Sequence, residues 1–109
     1  MDINPIGNAN NRYYGTLIAN TQRVTADVTL TNLDYVVFCD TDAAAITVTL
    51  PAGMEGYHYK ICNCGSSGND VTVDPQGTEN LYGAGAGVAS TLSDGEVINI
   101  HFNETEGWW

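Results

Sequence analysis

Positive charge is what this sequence has least of. Three of its 109 residues are Lys or Arg, against 13 Asp or Glu, for a formal net charge of −10. Arg12, Arg23 and Lys60 are scattered along the chain and form no basic cluster. Such a chain is repelled by phosphate backbones and anionic lipid surfaces, so nucleic acid and membrane are not expected as partners. Charge of either sign is sparse, at 15% of residues, and the polar surface falls largely to Thr, Asn, Ser and Gly.

Long apolar runs are also missing. None approaches the roughly 20 residues a membrane-spanning helix needs. The stretch Met1-Asp2-Ile3-Asn4-Pro5 has neither a basic flank nor an apolar segment after it, so the expectation is a cytoplasmic product with no secretory leader. Cysteine is limited to Cys39, Cys62 and Cys64. An odd number cannot all pair, and a reducing compartment makes free thiols the default. No segment carries a helical period.

What is present is alternation. Val24, Ala26, Val28 and Leu30 alternate with polar residues, as do Ile46, Val48 and Leu50. Val71 and Val73 do the same, and so do Ile98, Ile100 and Phe102. A period of two marks half-buried strands. Leu33 to Cys39 is apolar at both parities, which predicts a central strand covered on two sides. Turn formers separate the runs, among them Asp40-Thr41-Asp42, Pro51-Ala52-Gly53 and Ser93-Asp94-Gly95. These signals predict about eight strands, over 24–31, 33–40, 45–50, 56–64, 70–74, 79–82, 87–92 and 95–102. The fold class is then all-β: an antiparallel sandwich or jelly roll.

Residues 1–22 stand apart from the domain at 23–109. Asn4 to Asn11 is aperiodic and rich in loop formers, then Arg12-Tyr13-Tyr14 follows. Two readings fit: an extended arm that orders on a partner, or a leader or first strand lying on the domain's own sheet. Trp108-Trp109 also divides two ways, since exposed indoles are costly. They either fold back over the domain's open end or fill a pocket on another subunit.

Chemical constellations are weak throughout. His58, Lys60, Cys62 and Cys64 share one face of a strand by parity, but residues two apart on a strand lie about 7 Å apart, too spread for one tetrahedral metal. Cys39 and His101 could join them only from adjacent strands. Small packed thiols are the plainer reading. Asp40 and Asp42 read as turn formers, not as a glycosidase carboxylate pair. Asp70, Asp74, Glu79 and Asp94 lack calcium-loop spacing. Gly83-Ala84-Gly85-Ala86-Gly87 lacks the Lys and the helix of a phosphate loop. No strained Gly-x-Ser-x-Gly turn occurs. No enzyme activity, metal or cofactor is expected.

One ordered set of phrases is more specific. It runs Asp34-Tyr35-Val36-Val37-Phe38-Cys39-Asp40, Ala45-Ile46-Thr47-Val48-Thr49-Leu50-Pro51-Ala52, Tyr57-His58-Tyr59-Lys60-Ile61 and Gly68-Asn69-Asp70-Val71-Thr72-Val73-Asp74. It continues through Gly77-Thr78-Glu79-Asn80-Leu81-Tyr82-Gly83 to Leu92-Ser93-Asp94-Gly95-Glu96-Val97-Ile98-Asn99-Ile100. This cadence resembles the small β-sandwich module of tailed-phage capsid decoration (cement), head-fibre and tail-fibre proteins. The pair Cys62 and Cys64 and the Trp108-Trp109 ending depart from it.

The resemblance implies a virion structural protein, often trimeric, without catalytic residues. A free-standing module with an arm points to a cement subunit on the capsid surface. Its partner would be the major capsid protein, gripped through Ile3, Pro5, Ile6, Arg12, Tyr13 and Tyr14, with Trp108 and Trp109 as possible interface residues. A homotrimer would suit a local three-fold axis. The alternative is a tail-fibre or receptor-binding module that recognises host surface glycans.

Overall fold

The computed structural model describes residues 19–109. The candidate arm residues Ile3, Pro5, Ile6, Arg12, Tyr13 and Tyr14 therefore lie outside the described residues. Nine strands follow one another: β1 (Thr21–Val24), β2 (Val28–Thr29), β3 (Val36–Cys39), β4 (Ile46–Thr49), β5 (His58–Asn63), β6 (Val71–Asp74), β7 (Ser90–Leu92), β8 (Val97–Asn103) and β9 (Gly107–Trp108). There is no helix among the described residues. Thr21 and Gln22, counted with the arm by sequence, form the first half of β1.

The strands make two mixed sheets. One has five strands in the order β9-β8-β5-β3-β1, the other four in the order β2-β4-β6-β7. From β1 to β6 the chain changes sheet at every step. Successive strands therefore never pair. Each pairs with the strand two steps away, in parallel: β1 with β3, β3 with β5, β2 with β4, and β4 with β6. The crossover that any parallel pair requires is supplied by the intervening strand in the opposite sheet. Only the last third turns back, with β7 antiparallel to β6, β8 to β5 and β9 to β8.

The all-β, two-sheet class expected from the alternation is thus present, but the antiparallel pairing is not. Four of the seven ladders among the described residues are parallel. The physical reason is that alternation reports which side chains face inward and carries nothing about strand direction. Turn residues are expected to fold each strand back on its neighbour, whereas up to β6 they carry the chain across to the other sheet. The run over 24–31 shows this directly. Its alternation fails at Ala26, which is exposed, and the chain bends there from β1 into β2.

One core fills the space between the sheets. The five-stranded sheet contributes Val37, Cys39, Tyr59, Ile61, Ile98, Ile100, Phe102 and Trp108. The other contributes Ile46, Val48, Val71, Val73 and Leu92, with Leu30 and Leu50 just outside its strands. Most of these are the inward residues the alternation named. The expectation that Leu33 to Cys39 is covered on two sides is corrected. Strand β3 is internal, flanked by β5 and β1, yet Phe38 is 39% exposed and Leu33 lies outside the strand, 74% exposed. Apolar residues at both parities here mean one face in the core and one apolar face left in water.

A buried polar cluster locks the loops at one end. Asn63, fully buried at the end of β5, accepts from the Thr41 hydroxyl at 2.8 Å and from the Gly65 amide at 3.0 Å. Its amide donates to the carbonyls of Asn69 (3.1 Å) and Leu92 (2.9 Å). Both heads of the side chain are satisfied, as a buried amide requires. Gly65 must lack a side chain here, because a Cβ would come within 1.9 Å of the Thr41 hydroxyl oxygen.

Candidate interaction surface

The outward face of the five-stranded sheet collects the side chains of interest. Register sets them in rows across the strands. Arg23, Phe38, Cys62 and Val97 form one row, and Thr21, Val36, Lys60 and Asn99 the next. In a third row His58 pairs with His101, which is joined in turn to Trp109. That last link is a two-way backbone bond: the His101 amide donates to the Trp109 carbonyl at 2.6 Å, and the Trp109 amide donates back at 2.8 Å.

The third row is aromatic. The His58 and His101 rings stack with centroids 3.9 Å apart and planes within 14°. Tyr35 meets His58 edge-on at 4.8 Å. Beyond His101, the Trp109 ring lies 6.3 Å from Tyr82. The Trp109 indole donates to the Glu106 carbonyl at 2.9 Å, and the Tyr82 hydroxyl donates to the Asn99 carbonyl at 3.1 Å. Tyr82 holds a left-handed φ of 57°, costly for an aromatic residue and sustained here by these contacts. Burial, and then repulsion from His101, pushes the His58 imidazole below its usual range. Its Nε2 has no hydrogen-bond partner among the described residues.

The two tryptophans separate. Trp108 is completely buried in the chain's own core, against Phe102 (5.0 Å) and Tyr59 (5.7 Å), with its indole donating to Glu79 at 3.2 Å. Trp109, one residue on, points the other way and is 51% exposed. Of the two readings open for this pair, self-packing describes Trp108, and only Trp109 is available to a partner. Alternation carried through a short final strand explains the split.

The other constellations disperse. His58, Lys60 and Cys62 do share a face, as parity required, but Cys39 faces the core and His101 is stacked on His58. Burial, reinforced by Cys64 and Cys62 nearby, raises the Cys39 thiol to about 12. Asp40 accepts from the Asp42 amide and pairs with Arg23. Asp42 takes the Ser66 amide at 2.8 Å and the Ser67 hydroxyl at 3.1 Å, and the first of these holds its carboxyl below the usual range. Both therefore act as turn formers. Asp94 caps the Gly68 amide. No group of three His, Cys, Asp or Glu among the described residues is placed to hold a metal ion. Glu79, Glu104 and Glu106 line a cleft of about 150 Å³ beside Phe102, where Glu79 is already engaged by Trp108 and the Gly53 amide.

The glycine loop turns out to serve the chain itself. Gly87 has a φ of 70°, and a Cβ there would lie 2.6 Å from the Gly77 carbonyl oxygen. Asn63 and β9 leave no readable signal in the sequence. An amide at an inward position reads as a break in a pattern, and two residues after a turn are too few to show a period.

No protein-family model matches this chain, and no curated protein matches it.

Proposed function

We propose that this chain is a virion structural subunit, a capsid decoration protein that binds the major capsid lattice by surface contact and not by catalysis. The observation that carries the reading is the outward face of the five-stranded sheet. It leaves Phe38 and Val97 exposed in one row and Trp109 exposed at the edge beyond His101, outside the core the described residues form. Exposed apolar and aromatic residues gathered on one face mark contact surfaces. The phage-module cadence of the sequence supports the virion setting. The arm over residues 1–22, with Ile3, Pro5, Ile6, Arg12, Tyr13 and Tyr14, would add a second grip across neighbouring capsid subunits. A homotrimer on a local three-fold axis fits such a lattice.

The test is decoration of capsids assembled without this chain. The full chain is expected to fill its sites. A chain lacking residues 1–14 is expected to fold, because the described residues build a two-sheet core between them, and to leave the capsids bare. Full occupancy by the shortened chain would overturn the arm's role, and no binding by the full chain would overturn the capsid reading.

A second reading is favoured by Tyr82 and Trp109, two exposed rings side by side. A tail-fibre or receptor-binding module for host glycans could use them. Binding on a glycan array, with loss in Trp109→Ala, would select it.

A further inference from the structure

The two outer faces of the molecule have opposite chemistry. The four-stranded sheet turns Thr29, Thr47, Thr49, Thr72, Thr91 and Asp74 outward, with no base among its strands. The strands of the five-stranded sheet contain no Asp or Glu at all. Yet they hold every Lys, Arg and His of the described residues: Arg23, His58, Lys60 and His101. All four lie in the outward rows, beside Phe38, Val97 and Trp109.

Carboxylates stand at the strand ends of this face. Asp34 and Asp40 flank β3 in sequence, Glu96 and Glu104 flank β8, and Glu106 precedes β9. Arg23 is neutralised by Asp40. Lys60 is therefore the cation with no ion-pair partner among the described residues, and it sits mid-face between Val36 and Asn99. The result is one free ammonium mid-face, with Phe38 and Val97 in the neighbouring row and carboxylates at the strand ends.

That pattern selects its occupant. A second copy laid face to face would bring Lys60 near Lys60 and acid margin near acid margin, and like charges at contact oppose binding. An anionic polymer would meet the carboxylate margin before it reached the centre. Sugar stacking on the His58 ring is limited too, because His101 is stacked on it and Tyr35 packs against it edge-on. A protein surface with a carboxylate at its centre, apolar side chains around it and Lys or Arg at its edge matches every zone. Salt screens the rest of this acidic chain beyond about 8 Å, so the local pattern decides.

We propose that the outward face of the five-stranded sheet is a docking site for a protein patch of this kind, centred on a carboxylate and edged with bases. The proposal shares with the capsid reading only the premise that the chain works by binding, and it does not require the arm.

The test is amide NMR of the full chain, titrated with three probes. They are the peptide Lys-Trp-Glu-Trp-Lys, the inverted peptide Glu-Trp-Lys-Trp-Glu, and an oligogalacturonate. The first peptide is expected to shift the amides of Phe38, Lys60, Val97 and His101. Lys60→Glu should weaken it by about tenfold or more, Lys60→Met by less, and Thr49→Glu on the opposite face not at all. Tighter binding of the inverted peptide or of oligogalacturonate to this face would overturn the proposal. So would an absence of shifts on the face, or ring contacts from Tyr13 or Tyr14 showing that the chain's own segment fills it. Capsids play no part in the titration, so its failure and that of the capsid reading are distinguishable.

Discussion

Asn63 holds three loops together with one side chain. It bridges Thr41, Gly65, Asn69 and Leu92 from a position with no access to water. Asn63→Ala would strand several buried polar groups, so a loss of about 2–4 kcal/mol is expected in urea unfolding, with Asn63→Leu no better. His58 carries a pH signature. Its folded pKa is depressed below the ordinary 6.5 by burial and by His101, so the unfolded chain binds the proton more readily. Its contribution to stability is complete above pH 6.5 and falls as the pH drops from 6.5 toward the folded value. Unfolding curves between pH 7.5 and about 5 should show this decline, and His58→Asn should flatten it. The thiols differ in the same local way. Cys64 is exposed, whereas Cys39 is buried with a pKa of about 12. A maleimide at neutral pH should label Cys64 in the native chain and Cys39 only after unfolding, which mass spectrometry of the labelled peptides would read. At this scale the inward apolar residues were legible from alternation, because burial dictates their period. Asn63 was not, since its value depends on carbonyls from loops far away in sequence.

Strands β8 and β9 show how a short element is fixed by one anchor. Two residues of β9 could not hold a sheet edge by backbone bonds alone. Trp108 holds it by filling the core, and Trp108→Ala should cost about 3–5 kcal/mol. Trp109→Ala, half exposed one residue later, should cost far less, and paired thermal melts would separate the two. Gly107 permits the turn that feeds this strand. Its φ is 88°, and a Cβ would come within 2.8 Å of the Asn80 carbonyl oxygen. Element existence was largely readable, since the strands expected over 45–50, 56–64, 70–74 and 95–102 overlap β4, β5, β6 and β8. Their partners were not readable. The chain returns to each sheet only after visiting the other, and pairing at that distance leaves no local mark. The span at 79–82 marks the opposite limit: Asn80 and Leu81 make single bridges to Ala86 and Trp108 instead of a strand.

The whole molecule is sided. A threonine-rich face and a face bearing bases and aromatics lie on opposite sides of one core, and the acids among the described residues sit almost entirely in loops. Neither side could be seen in the composition, where a net charge of −10 hides a sheet whose strands hold no acid. Both outer faces alternate with the same core, so their contrast emerged only once register placed Lys60 beside Val36 and Asn99. On the reading proposed above, the sided face and the arm bind a capsid lattice, and the domain projects from it. The measurement that bears most directly on this is electron cryomicroscopy of the intact particle, compared with a particle from which the chain has been deleted. The expected result is difference density of this size on the outer capsid surface, with the outward face of the five-stranded sheet turned toward a neighbouring subunit. Density confined to the tail, or no difference between the two particles, would contradict it.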